Sequence, residues 1–138
     1  MNGKKLLCLC VFAIMLGCAE PPQPEAEVEE ALARTEFTER VENFFEYSPL
    51  HAGKASQFLI HLTDLADGTP VEGAKVVLTV RPRGSDTSIL QATAQIGKVT
   101  GIYVVEVTIP QAGQHDIEFH ISNPKLDERM LLSGFEVE

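Results

Sequence analysis

Alternation with a period of two runs through the chain from Glu36 onward, and it restricts the possible folds more than any other feature. Phe58, Ile60 and Leu62 alternate with Leu59, His61 and Thr63, and Ala74, Val76, Leu78 and Val80 with Lys75, Val77, Thr79 and Arg81. Tyr103, Val105, Val107 and Ile109 follow the same rule, as do His115, Ile117, Phe119 and Ile121. Neighbouring side chains on a strand point to opposite faces, so each run describes a strand with one apolar face. Weaker runs over residues 41–47, 88–94 and 131–137 complete the set.

Turn chemistry separates the runs. Pro49 to Gly53, Asp67-Gly68, Glu72-Gly73, Arg83-Gly84-Ser85, Gly97 to Gly101, Pro110 to Gly113 and Ser122-Asn123-Pro124 all fall between apolar stretches. No segment carries an amphipathic helical stripe of useful length, so there are no crossover helices with which to build a parallel sheet. The expected fold is all-β, an immunoglobulin-like antiparallel sandwich of about seven strands. An up-and-down barrel is the alternative.

What precedes the strands reads differently. Lys4 and Lys5 lead an apolar run from Leu6 to Leu16, closed by Gly17-Cys18. A basic start, an apolar run short for a bilayer span and a small residue before the cut describe an export signal over residues 1–17. Met15-Leu16-Gly17-Cys18 resembles the lipobox of bacterial lipoproteins, which implies acyl chains on Cys18 and attachment to a membrane. A plain cleaved signal is the alternative. Ala19, where an inner-membrane retention signal would carry aspartate, implies the outer membrane rather than the inner, on its periplasmic face. Residues 18–35 combine Pro21, Pro22 and Pro24 with Glu20, Glu25, Glu27, Glu29 and Glu30, a composition that stiffens and extends a chain. A disordered, lipidated tether is expected there, followed by a sandwich over residues 36–138.

Charge and cysteine usage narrow the chemistry. Net charge is −9 for the whole chain; the leader holds two lysines and no acid, so its removal takes the value to −11. Such a surface repels phosphate backbones and anionic headgroups, which argues against nucleic acid as a partner. The three cysteines are Cys8, Cys10 and Cys18. An acylated Cys18 would leave the domain no thiol, no disulfide and no thiolate metal site. There is no Gly-x-Ser-x-Gly elbow, no phosphate-binding glycine loop and no His-Glu-x-x-His, so no enzyme is expected. Asp64 and Asp67 flank a turn but lack the further oxygen ligands of a calcium loop, and read as a solvated turn.

Four histidines remain: His51, His61, His115 and His120. His61 and His120 fall on the polar phase of their strands, and on adjacent strands they would approach each other closely enough to hold copper or zinc weakly, with His51 or His115 as a further ligand. Structural histidines, with no cofactor, are the plainer reading. Phe44, Phe45 and Tyr47 form an aromatic cluster that serves either as an exposed docking strip or as edge-strand core packing.

Thr38, Glu42, Phe44, Glu46, Pro49, Leu50 and Gly53, followed by His61-Leu62-Thr63-Asp64-Leu65, resemble the N-terminal domain of periplasmic adaptors. These are the membrane fusion proteins of RND-type efflux pumps, in their heavy-metal branch. Pro70 to Val76 continues the likeness. Gly101-Ile102-Tyr103 and Pro110-Gln111-Ala112-Gly113 are similar also to sandwich domains of the YtkA and FixH type. The likeness spans residues 36–138 and rests on turn and strand signatures. The adaptor's barrel-sandwich, helical hairpin and β-barrel have no counterpart here. The resemblance therefore implies an accessory to efflux, a free-standing or split first domain that binds adaptor or pump subunits. The alternatives are a lipoprotein that delivers copper or zinc to a pump and a structural envelope lipoprotein.

Overall fold

A computed structural model describes residues 21–24 and 28–138; the leader, Cys18 and the rest of the tether lie outside the described residues. Among the described residues there is no helix. Ten strands follow in order: β1 (Leu32–Phe37), β2 (Val41–Tyr47), β3 (Ala55–Asp64), β4 (Thr69–Pro70) and β5 (Lys75–Pro82). They continue as β6 (Leu90–Thr93), β7 (Gln95–Ile96), β8 (Ile102–Thr108), β9 (Gly113–Asn123) and β10 (Leu126–Val137). Two antiparallel sheets result. The larger has the order β1-β2-β3-β8-β7, with β4 added to the end of β3, and the smaller has the order β10-β9-β5-β6.

This is an immunoglobulin-like sandwich. The path β2-β3-β8-β7 faced by β10-β9-β5-β6 matches the strand order A-B-E-D faced by G-F-C with one added strand. Leu50 also forms a parallel bridge to Val137, so the segment after β2 touches the last strand of the opposite sheet. Three strands exceed the seven read from alternation. Two of them, β4 and β7, have two residues each and carry no periodicity to read. The third, β1, begins at Leu32, four residues before the boundary expected at Glu36. Its inward phase is Leu32, Arg34 and Glu36, opposite Tyr47, Phe45 and Asn43, so no apolar stripe advertises it.

Arg34 explains how a charged residue closes an apolar interior. Its guanidinium lies 4.8 Å from the centre of the Phe135 ring and 5.9 Å from that of Phe45. Nη1 donates to the Ser133 carbonyl on β10 at 2.9 Å, and Nη2 pairs with Glu36 at 2.6 Å. The edge strand of one sheet is thereby fastened to the edge strand of the other.

Between the sheets the apolar phases interlock. Val41, Phe45, Phe58, Ile60 and Leu62 from the larger sheet meet Val76, Leu78, Ile117, Phe119 and Phe135 from the smaller. Along β10 the inward phase runs Leu126, Met130, Leu132 and then shifts to Phe135 and Val137. A one-residue register shift against β9 between Leu132 and Phe135 makes this possible. Gly134 there has φ +87°, a conformation suited to glycine at a bulge.

The larger sheet holds its loop end through Tyr103, at the start of β8. Its hydroxyl donates to the Val71 carbonyl at 2.7 Å and accepts from the Ala74 N–H at 3.0 Å. The connection from β4 into β5 is thus pinned by a phenol that is only 1% exposed. Beside it, Gly101 has φ +82°, and a Cβ there would stand 2.6 Å from Pro70 Cβ, so this turn requires glycine. Replacing Tyr103 by Phe leaves a buried carbonyl and a buried N–H without their partner. Urea unfolding should show a loss of about 1–3 kcal/mol with an unchanged far-ultraviolet spectrum. Equal stability of Y103F and the parent chain would contradict the role given to this hydroxyl.

Candidate functional site

The inward phase of each strand is spent on the core, so any site is built from the outward phase and the loops. The two sheets present very different outer faces. On the larger one the registers set Thr35, Phe44, His61 and Ile102 in one row across four strands. Glu46, Leu59 and Val104 form the adjoining row. Phe44, Leu59, His61, Ile102 and Val104 are each half-buried by their neighbours, with no further layer over them among the described residues. The Phe44 and His61 rings stand 5.3 Å apart at 59°. Among the described residues His61 Nε2 has no hydrogen-bond partner, and it lies 3.9 Å from the Glu46 carboxylate.

Acidic residues rim this apolar centre. Glu42 and Glu46 lie on β2 and Glu106 on β8, and no lysine or arginine takes an outward position on β1, β2, β3 or β8. Phe37, at the end of β1 and opposite Glu42, is 59% exposed and extends the apolar strip toward the rim.

The smaller sheet's outer face is mostly polar, and several of its charges pair with one another. Glu118 receives Arg129 at 3.1 Å and Arg81 at 3.7 Å, and His120 pairs with Asp127 at 2.6 Å. Gln91 donates to the Thr79 hydroxyl at 3.2 Å. A shallow groove of about 360 Å³ lies over these residues and Lys75. Glu118 and His120 are already paired there, and burying paired charges under a partner costs desolvation with little return. The apolar row on the opposite face carries no such penalty.

The structure does not bring His61 and His120 together. His61 lies on β3 in the larger sheet and His120 on β9 in the smaller, so their side chains leave the sandwich on opposite sides. His115 is 1% exposed inside the core, with Nδ1 near the Gly113 carbonyl at 2.9 Å and Nε2 without a partner. His51 sits at the end of the sandwich where the chain enters and leaves it, 2.8 Å from Glu29 and 3.6 Å from Glu138. The four imidazoles therefore occupy four separate environments. Among the described residues no three His, Cys, Asp or Glu side chains come together as a ligand set.

The docking strip is also redrawn. Phe45 and Tyr47 are 0% and 7% exposed, and they pack against Phe58, Phe119 and Phe135. Nor is β2 an edge strand, because β1 covers its flank. Phe44 alone of the three faces outward. Alternation makes this unavoidable: residues one apart on a strand cannot share a face. The residues that sequence reasoning passed over are Leu59, Ile102 and Val104. Their signal was present, since each is an apolar residue on the phase that a solvated strand fills with polar ones.

At the loop end, Asp64, Asp67, Glu72 and Lys125 border an open hollow of about 450 Å³. Asp64 accepts from the Ala66 N–H at 2.9 Å and from Arg40 at 3.2 Å; Asp67 accepts from the Thr69 hydroxyl at 2.7 Å and its N–H at 3.0 Å. These carboxylates close their own turn.

Fold and surface together define a class: an immunoglobulin-like sandwich with an apolar, acid-rimmed sheet face open to solvent. Comparison with protein-family models, with curated proteins and with solved structures returned no match.

Titration should expose the roles of three groups. The Ala66 N–H and then Arg40 hold Asp64 below the ordinary aspartate pKa, and the Thr69 hydroxyl and N–H do the same for Asp67. Burial raises Tyr47 above the ordinary tyrosine value. The lowered carboxyls stabilise the fold above the ordinary aspartate pKa, and that contribution disappears as pH falls through their folded values, below about 4. Tyr47 acts in the opposite direction: its contribution is complete below the ordinary tyrosine pKa and is lost as pH rises past about 10. Denaturation midpoints measured against pH should fall at both ends. The acid limb should flatten in the D64N/D67N double variant, whose amides still close the turn, and the alkaline limb in Y47F. Limbs unchanged by these substitutions would assign the pH dependence elsewhere.

Proposed function

We propose that this chain is a non-catalytic binding module, held by acyl chains on Cys18 to the periplasmic face of a cell envelope and accessory to an RND-type efflux system. The leader and the Met15-Leu16-Gly17-Cys18 segment support the anchoring, and Ala19 favours the outer membrane. The adaptor-like run from Thr38 to Leu65 supports the association with adaptor or pump subunits. One structural observation carries the binding role: Phe44, Leu59, His61, Ile102 and Val104 lie side by side and half-exposed on one sheet face. Exposed apolar area of this kind, rimmed by polar residues, marks interaction surfaces.

A tether of acids and prolines fits the same role, because it lets the module stand away from the lipid surface to reach a neighbour. The copper- or zinc-delivering alternative rested on His61 and His120 acting together, and their placement on opposite faces leaves it without a favouring observation.

The anchoring half of the proposal is read by mass spectrometry of the mature N-terminus, which should begin at Cys18 and carry acyl chains. C18A should leave the protein uncleaved or release it from the outer-membrane fraction. The accessory half is read by affinity capture of the full chain from detergent-solubilised envelope. An adaptor, pump or channel subunit should be enriched, and their absence above background would overturn the link to efflux.

A further inference from the structure

Resting on the binding-module reading, we propose a specific seat and a specific kind of partner: the outer face of the larger sheet receives a cationic, amphipathic protein segment, not a second copy of this chain. The seat has an apolar centre of Phe44, Leu59, Ile102 and Val104 with His61 among them. Covering it removes side chains that the fold leaves half-exposed, which is the favourable term in association. Orientation and selectivity come from the rim. Glu42, Glu46 and Glu106 stand beside this centre, and no cation occupies an outward position on the four strands.

Charge decides between the possible occupants. A symmetric pair of identical chains would set the same patch against itself, glutamates against glutamates. Like charges brought together across an interface cost several kcal/mol. An anionic bilayer surface is repelled by the same rim and by a chain whose net charge is −9. A protein segment with apolar residues flanked by lysine or arginine turns each repulsive term into an attractive one. The smaller sheet suits such a segment less well: Glu118, near its centre, is already held by Arg81 and Arg129, and Arg81, Arg129 and Lys75 share its outer groove.

The geometry also sets the footprint. Phe44, His61 and Ile102 lie directly opposite one another across three strands, and Leu59 and Val104 lie two residues along. Strands are about 4.8 Å apart and two residues span about 6.7 Å, so the centre is about 10 Å by 7 Å, suited to one helix face or one strand rather than a broad domain surface.

The test uses the full chain in non-ionic detergent and two synthetic amphipathic peptides, one of leucine and lysine, the other of leucine and glutamate. The lysine peptide should bind in a salt-sensitive way and shift the backbone amide resonances of Phe44, Leu59, His61, Ile102 and Val104. The glutamate peptide should not bind. E42K/E46K/E106K should weaken the lysine peptide by about tenfold or more and admit the glutamate peptide. Charge reversal at Glu128 and Glu136, on the other sheet, should change the affinity little. V104T, which keeps size and β-branching, should weaken binding without altering the rim. Thermal unfolding of each variant should stay near the parent value, which separates lost binding from lost folding.

No binding of the lysine peptide, shifts confined to the smaller sheet, binding insensitive to the rim reversal, or a dimer in sedimentation would each overturn the proposal. Envelope capture that still recovers an efflux subunit would in that case preserve the module reading and discard only the seat. Peptide binding with no subunit captured would do the reverse.

Discussion

Five aromatic rings carry the union of the two sheets. Phe45, Tyr47 and Phe58 come from the larger sheet, Phe119 and Phe135 from the smaller. Phe45 lies 4.9 Å from Phe119 and 6.3 Å from Phe135, and Tyr47 lies 5.6 Å from Phe135, ring centre to ring centre. No cysteine lies among the described residues, so this packing takes the place that a cross-sheet disulfide holds in many sandwiches. Aromatic pairs at such separations contribute about 0.5–1.5 kcal/mol each beyond the area they bury. Arg34 closes the cluster at its open edge, with its guanidinium over Phe135 and its Nη1 on β10.

The cluster decides the surface as well as the interior. Once Phe45 is committed inward, Phe44 and Glu46 must face out. Once Phe58 and Ile60 are committed, Leu59 and His61 follow. The open apolar row is therefore a consequence of which phase the core took. The sandwich thus separates its tasks by face. One sheet shows apolar residues ringed by carboxylates, the other shows mostly polar residues with paired charges around Glu118 and His120, and the loop ends carry self-closed turns. The proposed binding role rests on the first of these faces.

Much of the fold was legible in the sequence because alternation and turn residues are local signals. The expectation for residues 41–47 coincides with β2, and Asn123-Pro124 marks the β9–β10 turn, where the Asn123 side chain accepts from the N–H groups of Lys125 and Leu126. Even the bulge left a trace, since apolar residues at 130 and 132 resume at 135 and 137, out of phase by one. Other features had no local trace. The inward phase of β1 is filled by Arg34 and Glu36, so the strand reads as part of a charged tether. The outer-face row needs the register of three strands before Phe44, His61 and Ile102 become neighbours, and register belongs to pairs of strands rather than to either one.

The sequence by itself determined an all-β chain of short strands, the residues available for its core and an acidic balance. Tertiary structure alone decided which strands share a sheet. That choice sent His61 and His120 to opposite sides, took Phe45 and Tyr47 out of the surface, and left Phe44 among Leu59, Ile102 and Val104. The reason is physical: periodicity is encoded residue by residue along one strand, whereas proximity between strands is set by loop paths and by the packing of side chains far apart in the chain.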